Sequence, residues 1–198
     1  MSANLGNVHY WLYNQIQMID DRNSFLVKNF KELSDNYHES LAGVDIKEAL
    51  AGKHIHPGLE SLITKVQTEE VKIIEDLIKV TNLEELIEMY YAHGIKTAQK
   101  ENKSGKTIEE TIKALKDIFL EGMPCDGLTQ VEIKDNYGRL IRDNKLHTEF
   151  WVNSEVAVEK MHRLYRAWIK GALFVINPEV EYEREINSDH YIDLIKSV

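Results

Sequence analysis

The hydrophobic period of this chain changes once, at a loop rich in glycine and proline, and that change constrains the fold more than any other feature. Before residue 122, apolar residues recur every three or four positions. Val8, Trp11, Leu12, Ile16 and Ile19 mark one helix face, and Ile108, Ile112, Leu115, Ile118 and Phe119 mark another. Gly122-Met123-Pro124-Cys125-Asp126-Gly127 then interrupts the pattern. Beyond it Thr129, Val131 and Ile133 alternate with Gln130, Glu132 and Lys134, the period of a strand with one covered face. The pattern predicts an α+β fold: an N-terminal multi-helix region, then a small antiparallel sheet of about four strands with one long crossing helix. At 198 residues the chain reads as a single compact domain. Any subdivision falls between a helical region, 1–122, and an α+β region, 123–198.

The helices expected before the loop cover 8–19, 24–41, 45–50, 59–80, a segment starting at Thr81 and a segment starting at Thr107. The polar run Asp20-Asp21-Arg22-Asn23 reads as a break, and Gln67 as a weaker one. Pro57 biases His56 away from helix, so 53–58 reads as a loop. Thr81-Asn82-Leu83-Glu84 and Thr107-Ile108-Glu109-Glu110 both have capping-box spacing, and the helix between them weakens near Gly94. After the loop, strands are expected at 129–134, at Leu140-Ile141, over 145–152 and over 179–186. A long helix covers 153–174, and a short one, capped by Asn187-Ser188, closes the chain over 189–195.

Composition matters for what it excludes. Twenty-four basic and 33 acidic residues leave a net charge of −9, which argues against a nucleic-acid partner, because phosphate contacts need clustered Lys and Arg. The lone cysteine, Cys125, permits no internal disulfide and favours a reducing compartment. The start of the chain lacks the basic-then-apolar pattern of a secretory signal, and no run approaches the roughly 18 apolar residues of a membrane span. The expected setting is cytoplasmic, with no membrane partner.

Several familiar motifs fail on their own terms. Ser104-Gly105-Lys106-Thr107 ends like a phosphate loop, but Lys100 stands where the first glycine belongs and the segment joins two helices. It reads as a linker and a helix cap. Ser188-Asp189-His190 has the residue types of a catalytic triad, but three consecutive positions cannot bring those side chains together. Glu159 and His162, three apart on a helix, form half of a di-iron motif whose other half is missing, so an ion-paired surface is the simpler reading.

Eight histidines are the one real excess. His54-Ile55-His56 sits in the constrained loop, where residues two apart point to one side. His147 and Glu149 share a face of an expected strand, and Cys125 lies in the loop that feeds the sheet. If His54, His56 and His147 converge, two or three imidazoles beside a carboxylate and a thiolate suit a divalent ion, zinc or iron. The alternative without metal makes Cys125 a nucleophile, His147 its base and Glu149 or Asp126 the residue that orients the base. Against both stands the plainer reading, in which the histidines are separate polar groups and the cysteine is a small buried residue. The helix aromatics, among them Tyr10, Trp11, Tyr90, Tyr91, Tyr165 and Trp168, are first of all core residues.

Val131-Glu132-Ile133, the segment 146–151 and the segment 180–186 give the C-terminal half an order of hairpin, strand, long helix, strand. That order resembles the vinyl-reductase-type domains and the L-2-amino-thiazoline-4-carboxylic acid hydrolase-like proteins of bacteria. The resemblance covers about a third of the chain and rests on layout, and the additional cysteines of those families are missing. It implies a pocket between helices and sheet, and no catalytic residue carries over. The sequence therefore points to a protein that binds a small molecule. If it is an enzyme, its chemistry is metal-assisted hydrolysis or proton transfer. The alternative is a non-catalytic helical interaction protein, a homodimer built on its aromatic helices.

Overall fold

A computed structural model describes residues 5–30 and 40–198. Among these residues seven α-helices and four strands follow in the order α1 (Asn7–Asn29), α2 (Ile46–Ala49), α3 (Ile55–Val80), α4 (Leu83–Lys100), α5 (Ile108–Ile118), β1 (Thr129–Ile133), β2 (Tyr137–Asp143), α6 (Thr148–Trp151), α7 (Val158–Ile176), β3 (Val180–Ile186) and β4 (His190–Ser197). The sheet is antiparallel throughout, in the order β1-β2-β4-β3. The expected class, α+β with helices first and a small sheet at the end, is the one observed. No described helix is long and apolar enough to cross a membrane.

Helix α1 does not break at Asp20-Asp21-Arg22-Asn23. Asp20, Arg22 and Asn23 point inward and find partners there, so their polarity ends nothing. The Asp20 carboxylate accepts from the Leu41 amide at 2.8 Å, and the Asn23 amide donates to the Val66 carbonyl at 3.0 Å. The part of the expected 24–41 helix at 31–39 lies outside the described residues. Helix α3 begins at Ile55, four residues before the expected start. Pro57 falls in its first turn, where the missing N–H has no helical partner to lose. The same helix passes through Gln67 unbroken.

Capping is met as read at Thr107, whose hydroxyl accepts from the Glu110 amide while the Glu110 carboxylate accepts from the Thr107 amide. At the other box the cap shifts by one residue. Asn82 accepts from the Glu85 amide at 2.9 Å, and Thr81 instead ends α3.

Two elements have the opposite type from that expected. The segment 145–152 is not a strand. The Asp143 carboxylate accepts from the Lys145 amide at 2.8 Å, which opens a 3-10 turn at Asn144–Leu146, and α6 follows. The segment 189–195 is not a helix but most of β4. Asn187 does not cap a helix. Its side chain accepts from the amides of Asp189 and His190 and closes the β3–β4 hairpin. Asn makes both kinds of turn through the same short side chain.

Helices α4 and α7 form the tightest pair. Gly94 and Gly171 lie where they cross, and a Cβ on either would collide with the carbonyl oxygen of Trp168 or Tyr91 respectively. The apparent weak point at Gly94 is thus what lets α7 approach. Gly138 does the same for the sheet, since a Cβ there would collide with Ile112 of α5. One buried apolar cluster runs from Leu26 through α3, α4, α5 and α7 to Ile195 of β4, so helices and sheet share a core. A second cluster joins the first half of α1, α2 and the first half of α3.

Candidate functional site

The seam between helices and sheet is unusually polar for a core. Cross-strand neighbours on the sheet's inner face include Asp193 beside Arg184 and Tyr191 beside Arg142, all buried. Arg184 donates to Asp193 from Nε at 2.6 Å and from Nη2 at 2.8 Å. Arg142 donates to the same carboxylate and, at 3.0 Å, to Glu121. The Tyr182 hydroxyl donates to Asp193 at 2.6 Å. Burial pushes the Asp193 carboxyl up, but Arg184 and Arg142 together hold it below its ordinary value.

A second charged centre faces it from the helices. Arg22 of α1 pairs with Glu70 of α3 at 2.6 Å. Tyr90 of α4 and Tyr165 of α7 donate to the two oxygens of Glu70, at 2.7 and 2.6 Å. The Arg22 guanidinium also lies 4.8 Å from the centre of the Tyr165 ring, a cation–π geometry. Burial, then the negative Glu70, raises both tyrosine hydroxyls well above their ordinary value, so both stay protonated donors.

Between the two centres stands His147, fully buried. Trp151, one turn on in α6, stacks on its ring with centres 5.6 Å apart. Tyr165 lies 4.9 Å away and Phe119 meets the imidazole edge-on at 5.6 Å. Nδ1 is 2.9 Å from Oε1 of Gln67, a buried residue of α3. Nε2 has no hydrogen-bond partner, nor does the Gln67 amide nitrogen, nor the buried hydroxyl of Tyr191. Burial, reinforced by the positive Arg142, Arg184 and Arg22, drives the His147 pKa well below its ordinary value, so the ring is neutral.

The two other interior histidines differ. His93 accepts from the Trp168 indole N–H at 3.0 Å on Nδ1 and meets Asp21 at 3.2 Å on Nε2. His162 has its Nδ1 3.4 Å from an Arg184 nitrogen and packs between Trp151 and Tyr191. Burial and then Arg184 lower its pKa to about 4.

The structure does not bring the other sequence candidates to His147. His54 is the exposed N-cap residue of α3, and exposed His56 packs its ring against His9, 5.6 Å between centres. Cys125 is exposed in a 3-10 turn, where its thiol donates to the Asp126 carboxylate at 3.8 Å. Glu149 sits exposed on α6, and it shares no strand face with His147 because no strand forms there. Among the described residues, no three His, Cys, Asp or Glu side chains gather as a metal would need.

The residues missed from sequence carried one signal. Arg22 falls between Ile19 and Leu26 on the buried face of α1, and Glu70 between Val66 and Ile74 on that of α3. A charge on an apolar helix stripe is rarely buried without a partner, and here each is the other's partner. No protein-family model matches the chain, and no curated protein matches it.

Proposed function

We propose that this chain is a small-molecule-binding protein whose ligand occupies the helix–sheet seam at His147. The observation that carries this reading is the Nε2 of that residue, wholly buried and without a partner. An unpaired buried polar atom costs about 1–3 kcal/mol, a cost that a bound ligand's hydrogen bond offsets. The surroundings specify the ligand's character. Phe119, Trp151 and Tyr165 offer ring surfaces. The charges already balance, Arg22, Arg142 and Arg184 against Glu70, Asp193 and Glu121. A charged ligand upsets that balance in a low-dielectric interior, so the ligand is neutral. If the protein is an enzyme, His147 Nε2 is placed to hold a substrate N–H or O–H during proton transfer rather than to keep the proton, because burial and Arg142, Arg184 and Arg22 disfavour the charged ring. The metal-assisted and thiol routes lack their other residues, since His54, His56, Cys125 and Glu149 stand apart on the surface. The aromatic helices offer less to a protein partner, since Tyr90, Tyr165 and Trp168 face inward and Trp11 and Tyr91 are half-buried, which leaves Tyr10 as the exposed ring of the six.

The test is a thermal-shift screen of neutral metabolites against the wild type and a Gln67→Leu/His147→Phe double variant. Removing both polar partners leaves no new orphan between them, so the free variant is expected within about 1 kcal/mol of wild type. Compounds that raise the wild-type melting temperature, as ligands of the folded state do, are expected to leave the variant unmoved. Equal shifts in both proteins place the ligand elsewhere.

A further inference from the structure

We propose that Gln67 fixes His147 as the Nδ1-protonated tautomer, so that Nε2 faces the site as an acceptor and the ligands are molecules that present an N–H or O–H to it. This rests on the reading of the seam as a ligand site and adds the polarity of its central hydrogen bond.

The carboxamide oxygen of Gln67, 2.9 Å from Nδ1, only accepts, so Nδ1 carries the proton. A neutral imidazole has one N–H, which leaves Nε2 a bare lone pair. Arg142, Arg184 and Arg22 surround the ring at longer range and disfavour a second proton. The Gln67 amide nitrogen, buried and unpartnered on the same group, remains a donor.

The fold sets the opposite tautomer elsewhere, which makes the assignment measurable. At His93 the Trp168 indole N–H donates to Nδ1, so that ring carries its proton on Nε2, toward Asp21. At His162 the neighbour of Nδ1 is a guanidinium nitrogen, which only donates, so its proton is also on Nε2. Of these three interior rings, His147 alone has the proton on Nδ1 and an unpaired acceptor. A site with a buried acceptor binds a donor and discriminates against the same shape with the donor capped, because capping leaves the acceptor unpaired.

The experiment has two arms on the intact protein. Ring nitrogen-15 spectra of histidine-labelled protein, assigned by single substitutions, report each tautomer directly. The expected result is Nδ1–H at His147 with Nε2–H at His93 and His162, and a change of the His147 tautomer alone in Gln67→Leu. Gln67→Glu, which keeps an acceptor at that place, restores Nδ1–H. An Nε2–H tautomer at His147 in the wild type overturns the proposal, even where compounds bind. A merely structural role for Gln67 changes stability and leaves the tautomer where it was. The second arm compares matched neutral probes by melting temperature and calorimetry: indole with 1-methylindole, 2-pyrrolidinone with its N-methyl form, and benzyl alcohol with its methyl ether. The donor of a pair is expected to bind at least tenfold more tightly than its capped partner. Equal binding within the pairs overturns the selectivity. No binding by any probe, with the tautomer as assigned, counts against the ligand site itself and removes the selectivity with it.

Discussion

At the scale of single residues, the interior is held by charges that satisfy one another, and each is expected to be costly to remove alone. Glu70 accepts from Arg22, Tyr90 and Tyr165 at once. Glu70→Leu strands a buried guanidinium and two hydroxyls, and an expected loss of about 3–5 kcal/mol follows in urea denaturation. The Arg22→Met/Glu70→Leu pair is expected to cost less than Glu70→Leu alone, because no charge is left unpaired. The interior histidines give a second prediction. His162 has its pKa lowered to about 4 from 6.5, and His147 and His93 are lowered as well, all first by burial. Between pH 6.5 and 4 the unfolded chain binds protons that the folded one refuses, so stability falls as pH falls through that window. Each such histidine contributes up to about 1.4 kcal/mol per pH unit there. Denaturation midpoints at pH 7, 6 and 5 are expected to decline steadily, and His162→Asn to reduce the slope. A flat profile contradicts the buried, neutral assignment.

At the scale of elements, helix crossing decides what a residue is for. Gly94→Ala and Gly171→Ala each raise intrinsic helix propensity by about 1 kcal/mol. Each is nonetheless expected to lower stability, by about 1–3 kcal/mol, because the new methyl strikes a carbonyl of the partner helix. A rise in melting temperature for either variant contradicts the tight α4–α7 crossing. The same elements show what a sequence reveals. The period-2 and period-3.6 segments with one wet face, such as β3 and α5, were legible because exposure repeats with the geometry. β1 forms as a strand, but the covered face expected for it is absent, since Val131 and Ile133 are exposed like Gln130 and Glu132. β4 was not, since Ile192 is buried on the outer face while Tyr191, Asp193 and Ile195 are buried on the inner one, and a strand covered on both sides loses its alternation. The segment 145–152 misled through its aromatic residues, which serve the core from a single helical turn. Asp20, Arg22 and Asn23 misled because polarity reads as a surface when its partners are 21 to 48 residues away.

At the scale of the whole molecule, the seam draws on α1, α3, α4, α6, α7, β2, β3 and β4, and no local pattern announces such an assembly. His147 was legible as a candidate because histidines were in excess. Its environment was not, because Gln67, Arg22 and Arg142 reach it only through the tertiary fold. The charge of −9 likewise resolves into two populations. Glu181, Glu183 and Glu185 line the exposed face of β3, whereas Glu70 and Asp193 are structural partners inside. What we propose of the whole molecule is that a neutral small molecule binds at His147. It is tested most directly by following the ring nitrogen-15 signals of His93, His147 and His162 while a compound that stabilises the protein is titrated in. The Nε2 signal of His147 is expected to move saturably with the binding isotherm. Binding that leaves that signal unmoved contradicts the proposal.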